Sequence, residues 1–145
     1  MSKVYKNAVE NIPSVAKCYK VGLRALGANS RYVTIANTSD LNGSVFLDTC
    51  LKGENIWDYS FGYNDESYYM EVHPAYTNEV DTVIAKFKWL KNWLSKDGAS
   101  LNAINVPTPF HWIASGKVSI SPRSAYANRL ARAGLAMPKS RLVLK

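Results

Sequence analysis

Asp58, Glu71 and His73 are the residues in this chain whose types and spacing could do chemistry, and all three lie in the segment WDYSFGYNDESYYMEVHPA, residues 57–75. Trp57, Tyr59, Phe61 and Tyr63 recur at period two with Asp58, Ser60 and Gly62 between them. Tyr68, Met70, Val72 and Pro74 then alternate with Ser67, Tyr69, Glu71 and His73. Period two is the pattern of strands with one apolar face, so the segment reads as a hairpin. Asn64-Asp65 tolerates the left-handed backbone of a tight turn. With a two-residue loop there, Tyr63 faces Glu66 and Asp58 faces Glu71. With a four-residue loop over 64–67, Asp58 faces His73 and Ser60 faces Glu71. Both registers gather Asp58, Glu71 and His73 on one face, and only an odd loop or a bulge would separate them.

Two carboxylates directly across a strand pair repel, so something must offset the cost. A divalent cation held by Asp58 and Glu71 would do so, magnesium or manganese being the hard ions that carboxylates take. The alternatives are a protonated carboxyl, or positive charge from His73 or a lysine. A solvated polar face on a twisted sheet is the plain structural reading.

The surrounding pattern supplies the scaffold. Ser14 suits the cap of a first helix with apolar positions Val15, Cys18, Tyr19, Leu23 and Leu26 and Gly27 as terminator, and an earlier short helix over 4–11 is open. RYVTIA (31–36) and VFLDTCL (45–51) read as strands, and KGEN (52–55) turns the second into the hairpin. Thr77 opens a helix to about Ser95, whose stripe is Val80, Val83, Ile84, Phe87, Leu90 and Leu94. Trp89 and Trp93 adjoin that stripe, where they widen the buried side or meet a protein partner or a second copy. Residues 97–109 read as a loop, 110–115 and 118–120 as strand, and Ser121-Pro122 as the start of a helix ending at Gly134, with a short strand in RLVLK. The expectation is one α+β domain over 1–145, with a mixed or antiparallel sheet of four to five strands and flanking helices.

Charge is uneven along the chain. Before residue 117, eleven Lys and Arg are matched by eleven Asp and Glu, so the entire net charge of +7 lies in the basic helix and tail that follow. Lys117, Arg123, Arg129, Arg132, Lys139 and Arg141 are therefore candidate contacts to DNA or RNA phosphates. No apolar run approaches a membrane span and the first residues lack the apolar core of a signal peptide, so the expectation is a cytoplasmic protein without a membrane partner. Cys18 and Cys50 fit no metal-ligand spacing and read as buried reduced thiols rather than a disulfide.

The order helix, strands, Asp58 strand, Glu71-x-His73 strand, helix, strand resembles the PD-(D/E)xK, or restriction-endonuclease-like, nuclease superfamily, whose core carries an aspartate and then a Glu-x-Lys on a hairpin followed by a helix. The resemblance implies a restriction-endonuclease-like core, with Asp58 and Glu71 as metal ligands and a magnesium-dependent nuclease activity. His73 stands where the family has lysine, and Trp57, not proline, precedes Asp58. Histidine can accept a proton from water or stabilise charge when protonated, so catalysis by Asp58, Glu71 and His73 is one reading. A scaffold that binds without cleaving is another. The alternative function is a non-catalytic module, such as an inhibitor, immunity or regulatory protein, that binds protein through an aromatic surface. A third is a small-ligand pocket lined by His111 and Trp112.

Overall fold

Residues 3–145 are described by a computed structural model. In chain order the elements are α1 (Val4–Glu10), β1 (Val33–Ile35), β2 (Leu41–Phe46), α2 (Leu47–Cys50), β3 (Tyr59–Tyr63), β4 (Glu66–Ala75), α3 (Val80–Leu94), α4 (Ala99–Asn102), β5 (Asn105–Val118), α5 (Ala125–Ala133) and β6 (Leu142–Leu144), with short 3-10 turns between them. The fold is α+β with a mixed sheet. Strands β2, β3 and β4 form an antiparallel meander, and β5, reached through α3, lies parallel to β4, so the order is β2-β3-β4-β5. A parallel neighbour needs a crossover, and α3 is that connection. Strands β1 and β6 pair in parallel as a separate two-stranded sheet.

The hairpin takes the two-residue loop. Asn64 and Asp65 both have positive φ, 52° and 64°, which matches a type I′ turn, and Tyr63 pairs with Glu66. Alternation then splits the strands between two cores. Tyr59, Phe61, Tyr63 and Met70 pack with Leu26, Val33, Ile113, Leu142 and Leu144, under β1 and β6. Tyr69 and Ala75 point the other way, into the larger core of Tyr5, Val9, Val83, Phe87, Leu90 and Trp112. Trp57, just before the strand, joins this second core and packs against Phe87.

The face that reads as polar in the sequence is thus covered by helices rather than by water. Ser60 is buried, sharing a 2.9 Å hydrogen bond with the Tyr5 hydroxyl. Gly62 leaves room for the same tyrosine, since a Cβ there would overlap the Tyr5 ring. The strand backbone is ordinary at Gly62, so Gly62→Ala acts by overpacking alone. It is expected to destabilise the protein by about 1–3 kcal/mol. A urea midpoint unchanged from wild type would show that α1 yields without cost.

Several local expectations give way to tertiary context. The stretch 14–26 is not a helix but short 3-10 segments, kinked where Gly27 has φ 55°, and the first helix is the earlier one at Val4–Glu10. The strand expected over 45–51 ends at Phe46 and turns into α2, while 31–36 yields only β1, outside the main sheet. The loop expected over 97–109 contains α4 and the start of β5, whose edge position tolerates Pro107 and Pro109. The final helix starts at the Ser124 cap rather than Ser121, and Gly134 ends it in the left-handed conformation as expected. Cys18 and Cys50 are not free thiols: the turn at 16–18 meets α2 with the two Cα atoms 6.1 Å apart, and the cysteines form a disulfide. A sequence separation of 32 says nothing of that approach.

Candidate functional site

Asp58, Glu71 and His73 do meet, and α3 adds a fourth residue, Lys86. Asp58 lies one residue before β3, directly across from Glu71 in the register of the hairpin. Each carboxylate has one oxygen bound to the neighbouring backbone. The Asp58 N–H donates to Glu71 Oε1 at 3.0 Å, and the Val72 N–H donates to Asp58 Oδ2 at 3.0 Å. The remaining oxygens converge on one ammonium. Lys86 Nζ lies 2.5 Å from Glu71 Oε2 and 3.3 Å from Asp58 Oδ1. His73 Nδ1 is 3.4 Å from the same Glu71 oxygen, and its Nε2 is 3.6 Å from Glu79 Oε1, too long for a hydrogen bond.

The cluster is graded in depth. The Glu71 side chain is 0 % exposed, Lys86 11 %, Asp58 13 % and His73 19 %, so any approach from solvent is over Asp58 and His73. Trp112 fixes the floor by donating its indole N–H to the His73 carbonyl. Burial pushes the Asp58 carboxyl up to about 6, the negative charge of Glu71 adds to this, and Lys86 opposes both. His73 is raised above its ordinary value, chiefly by its contact with Glu71. Burial works to lower Lys86, but the two carboxylates outweigh it and hold the amine above its usual range.

The charge that offsets the facing carboxylates is therefore a lysine, one of the alternatives open from sequence. A divalent ion would compete with Lys86 Nζ for the same two oxygens. The donor set suits a hard cation, while the described residues hold no group of three or more His, Cys, Asp or Glu side chains arranged for a metal. Lys86 escapes a reading of the hairpin because it comes from another element. Its signal is positional: it lies four residues before Leu90 and one heptad before Trp93, inside the widened buried side of α3.

The basic C-terminal residues do not join this cluster through any side-chain contact. Arg129 pairs with Asp81 at 3.0 Å on an exposed surface and lies over the Tyr126 ring. Arg141 donates to the Arg31 carbonyl and the Thr34 hydroxyl, which ties the tail to β1. The Lys139 backbone is bonded to Trp112 and Ala114 on the free edge of β5. Lys117, Arg123 and Arg132 are exposed. Trp93 belongs to the core and Trp89 stacks on it with ring centroids 5.7 Å apart, so this pair widens the buried side of α3. His111 lies on the far face of the sheet, stacked on Tyr68, and burial followed by the Lys139 charge lowers it to about 4. No described helix is long and apolar enough to cross a membrane.

No family model, curated protein or solved structure matches the chain.

Proposed function

We propose that the protein is a metal-dependent nuclease of restriction-endonuclease-like architecture, acting on DNA or RNA. The observation that carries this reading is the convergence of one Asp58 oxygen and one Glu71 oxygen on the Lys86 ammonium, on a hairpin followed by a helix and a parallel strand. That is an aspartate, a glutamate and a lysine on the framework that the resemblance implies, with the lysine supplied by α3 in place of position 73. Asp58 and Glu71 are the residues that would hold magnesium or manganese, and the ion would polarise the phosphodiester and lower the pKa of bound water. Lys86 can stabilise negative charge building on a phosphate, since its neighbours keep it protonated at neutral pH. His73, half-buried with Nδ1 against Glu71, could accept or return a proton. Arg123, Arg132 and the rest of the basic tail would add sequence-independent phosphate attraction.

The second reading is a scaffold that binds without cleaving, and the burial of Glu71 favours it: both its oxygens already have partners and none is exposed. The cytoplasmic setting belongs to either reading, and the Cys18–Cys50 disulfide weighs against it, because such bridges persist mainly in oxidising compartments.

Incubation with labelled DNA and RNA, with and without magnesium or manganese, tests the nuclease reading. Cleavage by the wild type that needs the ion and is lost in Asp58→Ala is the expected result. Wild-type protein that neither cleaves nor shifts its melting temperature with either ion would overturn it.

A further inference from the structure

A second site lies outside the cluster. Lys17, Lys20 and Arg24 line one cavity of about 470 Å³ together with Cys18, Ala25, Phe46, Thr49 and Cys50. Among the described residues, Lys17, Lys20 and Arg24, all exposed, line this space and no carboxylate does. None of the three side chains has an ion pair or hydrogen bond among the described residues. Like charges held together without a counterion repel, and free surface lysines would normally spread into water. Here the backbone that carries them is fixed at three points. The disulfide ties Cys18 to α2, Lys20 exchanges two backbone hydrogen bonds with Ser44 (2.9 and 2.8 Å), and the Ala25 N–H donates to the Ser44 hydroxyl at 3.0 Å. All three anchors leave the cationic heads free.

The cavity is not purely electrostatic. The half-buried Phe46 ring, with Ala25 and the disulfide, gives it an apolar wall, and Thr49 adds a hydroxyl. Cations and an aromatic ring in the lining of one cavity suit a phosphate joined to a planar apolar group. We propose that this cavity binds a nucleotide unit, the phosphate on Lys17, Lys20 and Arg24 and the base against Phe46. The unit is either a free nucleotide or one residue of a nucleic-acid strand, and the strand source rests on the nuclease reading. The cavity is tied to the strand that carries Asp58 through α2, whose Leu47 N–H donates to the Asp58 carbonyl at 2.7 Å.

The test uses full-length protein and three probes: a fluorescently labelled single-stranded oligonucleotide, a 5′-mononucleotide and inorganic phosphate. Joint charge reversal, Lys17→Glu with Lys20→Glu and Arg24→Glu, is expected to weaken oligonucleotide binding about tenfold and to reduce the salt slope by about two, as for three lost phosphate contacts. Arg123→Glu with Arg132→Glu should weaken binding less, removing only the tail's general phosphate attraction. Phe46→Ala should weaken the nucleotide probes and spare inorganic phosphate. Competition by the mononucleotide at the same residues identifies the free nucleotide as the source, and binding of the oligonucleotide alone identifies the strand. Lys20→Gln, a milder change, repeats the salt-slope measurement if the triple variant fails to fold. Wild-type binding retained in the folded triple variant or in Lys20→Gln, loss carried by the tail variant instead, or no binding of any probe to wild type would each overturn the proposal. The binding assays are run without magnesium or manganese, so that they read the cavity and not the carboxylates Asp58 and Glu71. Cavity binding without metal-dependent cleavage would therefore remove the nuclease reading and leave this site standing.

Discussion

Replacing Lys86 with Met is expected to destabilise the protein by roughly 3–5 kcal/mol at neutral pH, the range for removing one partner from a buried ion pair. Met keeps the length and the helix propensity of the side chain, so the change isolates the charge. Without the ammonium, Asp58 and Glu71 face each other with no cation between them, and one of the two must take up a proton or the strands must part. For a chain of this size that loss corresponds to a drop in melting temperature of roughly 10–16 °C. The deficit should be smaller at pH 5 than at pH 8, since a proton can then do part of what Lys86 does. Magnesium should also stabilise Lys86→Met more than wild type, because the two free oxygens no longer have an ammonium to displace. Thermal melts of both proteins at two pH values, with and without the ion, check all three statements. A variant as stable as wild type at pH 8 would mean that the carboxylates are solvated and that the pair holds nothing together.

The same residue marks how far the sequence could be read. The hairpin was legible because strand alternation and the Asn64-Asp65 turn are local; of the two registers these allowed, the structure takes the two-residue one. The long helix α3 and the Gly134 stop were legible for the same reason. Which side of the hairpin faces water was not local. Ser60, Gly62 and Glu71 look like a solvated edge until α1 and α3 are placed over them, and their placement depends on the packing of Tyr5 and Phe87. Lys86 was obscured by a pattern that is correct as far as it goes: α3 does carry an apolar stripe, but a buried lysine on its margin has meaning only opposite carboxylates on another element. The approach of Cys18 to Cys50 and the cavity beside them are likewise products of the chain path between 14 and 32, where 3-10 turns replaced the expected helix.

Stability should fall as pH rises from 4 to 8, opposite to the behaviour of a protein held by ordinary surface carboxylates. Asp58 has an ordinary value of 3.8 and is pushed up to about 6 in the fold. Between those values the folded chain keeps a proton that the unfolded chain has released, so the stabilisation is complete below the lower value and is lost as pH climbs through the upper one. At 1.36 kcal/mol per pH unit this amounts to roughly 3 kcal/mol. His73 acts in the same direction over a higher range. Its folded value lies above 6.5, so its contribution is present below that pH and disappears as pH rises through the raised value. Lys86, raised above 10.5, stays charged throughout and does not shape this window. Urea midpoints measured across the range should therefore decline in wild type. Asp58→Asn should flatten the lower part of the curve and His73→Gln the upper part. A wild-type profile that is level, or that rises toward pH 8, would show that neither group is held as the burial of the cluster requires. The site would then have to be more open to water than the depth of Glu71 indicates.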